Sequence, residues 1–568
     1  MTARTGAIAL GLLGSLSLWG CASGDPPLPQ LSSATPASFT GNCSTLTASL
    51  ASLPNTTITA SNTIAAGTLT LAGQPIAEHC QVTGRMFPRT GPIDGASYAI
   101  GFEMRLPKNW NGRFWHQGNG GIDGSVVTAQ GNLGGGPTTN ALLKGFAVLS
   151  SDAGHSGPTP SFGIDPQARL DYGYQAVAKL TPMAKSLIAT VYGKGPDRSY
   201  FGGCSNGGRH AMVAASRLPD QYDGIVAGAP GFNLPKAALA NIAGAQLYAP
   251  LATTSPANTA AALETAFTLT ERKLLGNAVL AKCDALDGAT DGMIQDVTAC
   301  QAAFSLANDV PTCAGARDGT CLSAGQKVAI SQILAGPTTQ TGQRIYTSFP
   351  YDVGLGGAGI ASWEFDAPLN RDAGAVGVIF KVPPSAYTGF NGPAFTLNAD
   401  LDALLAGINA TDATYTESAM SFMTPPNPTQ LGRLKDRGAK MLLYHGVSDA
   451  IFSVNDTEVW WNAVNTNNNG NAASFTRLFK IPGMGHCSGG PAVDQFDMVQ
   501  VIVDWVEGGN APDRIVASAR GPGNVGGVNA DVPTTWAPNR TRPLCRFPLV
   551  ARYNGVGSLE DAASFTCR

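Results

Sequence analysis

Three polar side chains sit in sequence contexts that suit covalent catalysis. Ser205 lies in Gly203-Cys204-Ser205-Asn206-Gly207, Asp449 in Gly446-Val447-Ser448-Asp449, and His486 in Pro482-Gly483-Met484-Gly485-His486-Cys487. A serine hydroxyl is a weak nucleophile until an imidazole accepts its proton, and the imidazole needs a carboxylate to fix its tautomer. The G-x-S-x-G pattern marks a sharp turn from strand to helix, in which flanking glycines avoid a Cβ clash and the serine hydroxyl is exposed. Such a turn also aims the next backbone N–H, that of Asn206, at the place where an oxyanion forms. A second donor is expected from the glycine-rich turn Gln117-Gly118-Asn119-Gly120-Gly121, with Gly120 as the choice. A phosphate loop is the competing reading of that turn, and it fails because no Gly-Lys-Ser/Thr follows. Of the six histidines, only His486 follows a late strand in a glycine-rich loop. Asp456 competes with Asp449 for the carboxylate role. Asp152 and His155 read as polar support for the turn under the oxyanion site.

These residues need a frame, and the apolar runs supply one. Strands are expected at Tyr98 to Leu106, Arg113 to His116, Gly145 to Ser151, in the segment ending at Phe201, at Gly224 to Pro230, Lys440 to His445 and Ser474 to Ile481. Helical patterns intervene at Tyr172 to Tyr192, after Ser205, at Ser453 to Asn468 and at Asp494 to Glu507. Alternation of strand and helix requires a mostly parallel sheet, and the order serine, aspartate, histidine is that of the α/β-hydrolase fold. The expected catalytic domain comprises residues 41–230 and 430–568. Between them, residues 231–429 change character, with alanine-rich helical stretches, long Gly/Pro loops and the aromatics Trp363, Phe365, Phe380, Tyr387, Phe390 and Phe395. This segment is expected to be an inserted lid domain that selects the substrate. Arg371 and Lys381 are its candidates for holding a substrate carboxylate.

The composition narrows the class. A net charge of −3 with 13% charged residues lacks the basic excess of a nucleic-acid binder. Residues 1–21 read as an export signal, with Arg4 ahead of the apolar run Ala7 to Trp19 and an ending Leu18-Trp19-Gly20-Cys21 that suits either a lipid anchor at Cys21 or plain secretion. Residues 22–40, rich in Pro, Ser and Ala, read as a flexible tether. Without Cys21, ten of the eleven cysteines remain, an even number suited to an oxidising compartment. Sequence neighbours suggest local bridges Cys43/Cys80, Cys283/Cys300, Cys313/Cys321 and Cys545/Cys567, although spacing alone does not determine connectivity. Cys204 and Cys487 flank Ser205 and His486. Within the insertion, Asp284, Asp287 and Asp291 fall inside eight residues punctuated by glycines, a hard-oxygen set suited to Ca²⁺. A solvated acidic turn is the other reading.

The stretches GGCSNGGRHAM, HGVSD, GMGHC and RTRPLCRFP with SFTC resemble the tannase/feruloyl esterase family over Cys43 to Cys567. The resemblance implies Ser205 as nucleophile, His486 as base and Asp449 as its orienter. It also implies a disulfide between Cys204 and Cys487, and a structural lid calcium held by Asp284, Asp287 and Asp291 with the carbonyls of Ala289 and Met293. The implied activity is hydrolysis of small aromatic esters of feruloyl, galloyl or terephthaloyl type, free or attached to plant polysaccharide or polyester fragments, by an exported monomer. Two other classes fit parts of the pattern: a secreted serine peptidase, and a non-catalytic carbohydrate-binding protein on a hydrolase fold.

Overall fold

The computed structural model describes residues 1–2 and 28–568. The apolar export run, Cys21 and the first part of the tether therefore lie outside the described residues. The centre is a nine-stranded sheet whose strands, in chain order, are β1 (Thr56–Ile64), β2 (His79–Thr90), β3 (Ser97–Pro107), β4 (Arg113–Gly118), β5 (Ala147–Ser151), β6 (Arg198–Cys204), β7 (Gly224–Gly228), β8 (Lys440–Gly446) and β9 (Thr476–Ile481). They lie side by side as β9-β8-β7-β6-β4-β5-β3-β2-β1. Strands β4 to β9 pair parallel, whereas β1, β2 and β3 form an antiparallel wing that meets the parallel part where β3 runs against β5.

The central strands are covered on both faces, so most of their residues are apolar and alternate between two cores. Phe114, Phe201, Ile225 and Leu443 enter one core, and their neighbours Trp115, Tyr200, Val226 and Leu442 enter the other. The first core is closed by α1 (Ala176–Tyr192) and α2 (Asn206–Arg217), which bury Leu180, Leu187, Ile188 and Met212. A π-helical turn at Asp171–Gln175 precedes α1, where the sequence pattern suggests uniform helix.

Between β7 and β8 the chain leaves the sheet and forms an insertion. It includes α3 (Leu234–Tyr248), α4 (Leu269–Cys283) and α5 (Ala324–Ala335). Both α4 and α5 begin with capping boxes, Thr268 with Glu271 and Ser323 with Gln326, in which side chains satisfy the free N–H groups of the first turn. Tyr248, Leu263, Phe267, Leu275, Val279, Phe365 and Leu369 give the insertion a core of its own. The insertion also contains π-helical turns at Ser362–Asp366, Pro368–Asp372 and Ala375–Phe380. After the insertion, α6 (Val454–Asn467) packs Trp460 and Trp461 on the first core, and α7 (Met498–Gly508) packs Ile502 and Trp505 on the second. Among the described residues no helix is long and apolar enough to cross a membrane.

Residues 28–40 depart from the expected flexible tether. Gln30 donates to the Val506 carbonyl at 2.8 Å, the Ala34 N–H donates to Glu507 at 2.8 Å, and Ala37–Ser38 pairs with Asn109–Trp110 as a short antiparallel ribbon. Composition alone suggested a free chain. The physical reason for the difference is that this stretch finds backbone and carboxylate partners on the domain surface, which offset the entropy of ordering it.

Candidate active site

Ser205 stands between β6 and α2 with φ 66° and ψ −128°, a left-handed conformation that a non-glycine residue holds only when its surroundings enforce it. The close packing beneath it explains the glycines. A Cβ on Gly203 would come within 2.5 Å of the Gly118 oxygen, and one on Gly207 within 2.3 Å of the same atom. The elbow is therefore pressed against the end of β4. Across the sheet, the loop after β8 carries Asp449 and the loop after β9 carries His486.

The three side chains meet in a line. His486 Nδ1 lies 2.7 Å from Asp449 Oδ2, and because the carboxylate can only accept, this nitrogen donates. In the neutral imidazole, Nε2 is then the acceptor, and the Ser205 hydroxyl donates to it at 2.8 Å. Asp449 is fully buried and its other oxygen accepts from the N–H groups of Ile451 and Phe452, each at 3.0 Å. Burial opposes its ionisation, but the charge of His486 and hydrogen bonds from His445 and His486 outweigh burial and hold the carboxyl well below its ordinary range. His445 was not singled out from sequence. It sits at the end of β8, and its Nε2 approaches Asp449 Oδ2 at 3.3 Å. In the sequence it is visible only as the first residue of the HGVSD stretch that ends in Asp449. Asp456 is engaged elsewhere, accepting from Asn233 at 3.0 and 3.1 Å.

Cys204 and Cys487 form a disulfide with Cα atoms 6.0 Å apart, joining the elbow to the histidine loop across 283 positions. Cys43–Cys80, Cys283–Cys300, Cys313–Cys321 and Cys545–Cys567 are the other bridges among the described residues. Gly120 comes close to the nucleophile: a Cβ built there would stand 3.8 Å from the Ser205 Cβ. Asn206 is the first residue of α2. Asn119 anchors the Gly118 to Gly121 turn to β5 through the Ser150 hydroxyl at 3.0 Å and the Ser151 carbonyl at 2.8 Å. Asp152 accepts from the N–H groups of Gly101 and Gly154, and His155 stacks on Phe162, so both brace this region without reaching the triad.

The pocket over Ser205 has apolar walls from Ile122, Tyr172, Leu234, Ala238, Ala375, Ile451 and Phe452, with Asn241, Arg371 and Asp372 as its polar part. Five of these residues come from the insertion beyond α3's first residue: Ala238, Asn241, Arg371, Asp372 and Ala375. The Arg371 guanidinium pairs with Asp372 at 2.9 Å and lies 4.9 Å from the centre of the Trp363 ring. Trp363 in turn meets His486 edge-on, with centroids 4.8 Å apart, and Phe452 does so at 5.4 Å. Lys381, the other candidate cation, donates to the Pro383 carbonyl and does not line this pocket.

In the acidic loop, Asp284 accepts from the N–H groups of Asp291 and Gly292, and Asp287 accepts from those of Ala289 and Gln295. Asp291 accepts from the Met293 N–H and is paired with Arg542. Burial raises Asp287 to about 7, and repulsion from Asp291 and Asp284 adds to it. Neither Asp284 nor Asp287 has an ion-pair partner among the described residues, so their charge suits a cation. Arg542 already meets that need at Asp291. Among the described residues no three acidic, histidine or cysteine side chains are arranged to hold a metal.

Comparison with known proteins adds a family. The family model described as tannase and feruloyl esterase matches residues 80–568. The chain is 40% identical over 531 residues to mono(2-hydroxyethyl) terephthalate hydrolase of Piscinibacter sakaiensis, covering 88% of this chain and 86% of that one. It is 29% identical over 491 residues to feruloyl esterase B of Aspergillus niger, covering 82% and 83%. The crystal structure of feruloyl esterase B from Aspergillus oryzae superposes with a TM-score of 0.72 at 25% identity, over 92% of this chain and all of that one.

Proposed function

The chain belongs to the tannase and feruloyl esterase family and is a carboxylic ester hydrolase, and from that premise we propose that it cleaves aromatic esters through an acyl-enzyme on Ser205. The observation that carries the reading is the continuous hydrogen-bonded line from Ser205 through His486 to Asp449. In the first half-reaction His486 takes the serine proton as Oγ bonds to the ester carbonyl carbon. The resulting imidazolium is stabilised by Asp449, and the same proton then passes to the departing alcohol. The oxyanion is held by the N–H groups of Asn206 and Gly120, donors of a kind worth about 3 kcal/mol each in the barrier. In the second half, water gives a proton to His486 as its oxygen bonds to the acyl carbon, the bond from that carbon to Ser205 Oγ then breaks as His486 returns the proton to Oγ, and the acid leaves with the serine regenerated.

The substrate reading is supported by the pocket. Its apolar walls suit a flat ring, and Arg371, set among them, suits an acid group on the far side of that ring. The relatives named for terephthalate and feruloyl esters point the same way. In this reading the insertion serves as a lid, supplying the specificity side of the pocket.

We further propose that Ca²⁺ binds the insertion loop through Asp284 and Asp287, with the carbonyls of Ala289 and Met293 and a share of Asp291. Bound there, the ion would offset carboxylate repulsion and tie the loop, a structural service with no part in the ester chemistry. Export is likewise our reading, supported by five disulfides, which persist in oxidising compartments. The direct test of the activity is turnover of aromatic esters by the purified protein and by Ser205→Ala. The variant is expected to fold normally and to lose on the order of 10⁶-fold in kcat, as removal of a triad serine does. Retained turnover would remove Ser205 from the mechanism.

A further inference from the structure

Resting on the Ser205 reading above, we infer that Asp123 is a positioning residue that sets the distance between the two oxyanion donors. The donors come from separate segments, Gly120 on the turn after β4 and Asn206 at the start of α2. Strands β4 and β6 pair as far as Gly118 and Gly203, after which the ladder ends. Beyond that point side chains hold the turn to the helix: the Asn206 amide reaches the Asn119 carbonyl only at 3.5 Å, and a shorter link is needed. Asp123 supplies it. Its Oδ2 accepts from Asn206 Nδ2 at 2.7 Å and lies 3.0 Å from His210 Nε2, while its own N–H donates to the Gly120 carbonyl at 3.3 Å. One residue therefore holds both the side chain of Asn206, whose backbone N–H follows Ser205, and the turn that carries Gly120.

The orientation of Asn206 follows from its partners. Arg209 can only donate, and it donates to Asn206 Oδ1 at 2.6 Å, so the Asn206 amide nitrogen must face Asp123. Arg209 is itself fully buried and fixed by the carbonyls of Gly173 at 2.7 Å and Tyr172 at 3.0 Å. Asp123 adopts φ 58°, an unfavourable conformation for a non-glycine residue, between Gly121 and Gly124, which also have positive φ. Its carboxyl is buried, and that burial raises it to about 7. A strained, buried acid is costly to stability, and it lies outside the pocket lining and outside the triad. What it contributes is geometry at the reacting centre, where a displacement of about 1 Å can cost on the order of 100-fold in rate.

The test uses full-length Asp123→Ala, Asp123→Asn and Asn206→Ala, each shown to be folded by its melting curve. Three quantities are measured: kcat and KM on an aromatic ester, inhibition by an aromatic boronic acid that forms a tetrahedral adduct on the serine, and inhibition by the free aromatic acid. Asp123→Ala is expected to lower kcat by about 10- to 100-fold with KM within about twofold, and to weaken the boronate by a similar factor. Inhibition by the free acid should be unchanged. Asp123→Asn keeps an acceptor for Asn206 and should retain most activity. Asn206→Ala severs the same contact from the other side, so the double alanine variant should be no worse than the poorer single one. The inference is overturned if folded Asp123→Ala keeps its kcat and boronate affinity, or if boronate and free acid weaken equally. If Asp123→Ala does not fold, full kcat and boronate affinity in Asn206→Ala would overturn it. Covalent labelling of wild-type Ser205 by an aryl phosphonate separates this outcome from a failure of the serine reading itself.

Discussion

Arg371 illustrates how one residue links chemistry to specificity. Its guanidinium is already paired with Asp372, whose other oxygen accepts from Asn241 at 3.0 Å, so it is held in place before any ligand arrives. A fixed, partly neutralised cation should recognise a substrate carboxylate by hydrogen bonding, at about 1.5 to 3 kcal/mol for a charged group. Arg371→Ala is therefore expected to reduce kcat/KM by roughly 10- to 100-fold for an aromatic ester bearing a second, free carboxylate. The corresponding ester without that carboxylate should change far less. Steady-state kinetics on the matched pair of substrates checks this, and equal losses on both would assign Arg371 to packing on Trp363 instead. Residue types and order singled out Ser205, Asp449 and His486, which the fold brings within hydrogen-bond distance of one another. His445 and Asp123 were not legible in the same way, because His445 opens the HGVSD stretch at a strand end with nothing in sequence to assign it a role, and Asp123 is an aspartate in a loop without a motif. Their partners arrive from residues 4 and 83 to 87 positions away, and only folding shows the contacts.

At the scale of elements, the parallel strands could be read from their largely apolar runs and β3 from its alternation, whereas β1 and β2 of the antiparallel wing could not. Strand β1, TTITASNTI, is half-exposed at the edge of the sheet and mostly polar, so it lacks the hydrophobic pattern that marks a buried strand. The π-helical turns that carry Trp363 and Arg371, SWEFD and PLNRD, are each five residues long, too short for a helical period to show in the sequence. Two predictions belong here. The Cys204–Cys487 bridge closes a loop of 283 residues, for which chain entropy gives about 5 kcal/mol as an upper value. Its loss should also loosen the distance between Ser205 and His486. The double Cys→Ala variant should therefore lose more activity than stability at a temperature where it stays folded, by about 10-fold or more in kcat. Proportional losses, compared by melting and initial rates, would reduce the bridge to a staple. For the insertion, chelation should lower the melting temperature without changing kcat at temperatures well below melting, because an ion bound only to the folded state stabilises by mass action, about 4 kcal/mol at 1,000 times its dissociation constant. An unchanged melting curve in a sample shown to be metal-free would contradict calcium at Asp284 and Asp287.

Across the whole molecule, the sheet supplies the serine, the aspartate and the histidine from the ends of three strands, and the insertion closes over them. The C-terminal segment joins the two parts: Arg542 pairs with Asp291 of the acidic loop, and Arg552 pairs with Asp296 at 2.5 Å. The insertion is thus braced on its far side while Trp363 touches His486 on the near side. This arrangement explains why fold class was accessible from strand and helix order but substrate choice was not, since the pocket is built from residues more than 100 positions apart. An acyl-enzyme on Ser205 can be trapped by rapid quenching of the enzyme with an activated aromatic ester, followed by mass analysis of its peptides. The acyl mass is expected on the peptide containing Ser205, appearing in a burst before steady turnover and absent from Ser205→Ala. Steady turnover with no adduct on that peptide, or an adduct on another residue, would contradict an acyl-enzyme at Ser205.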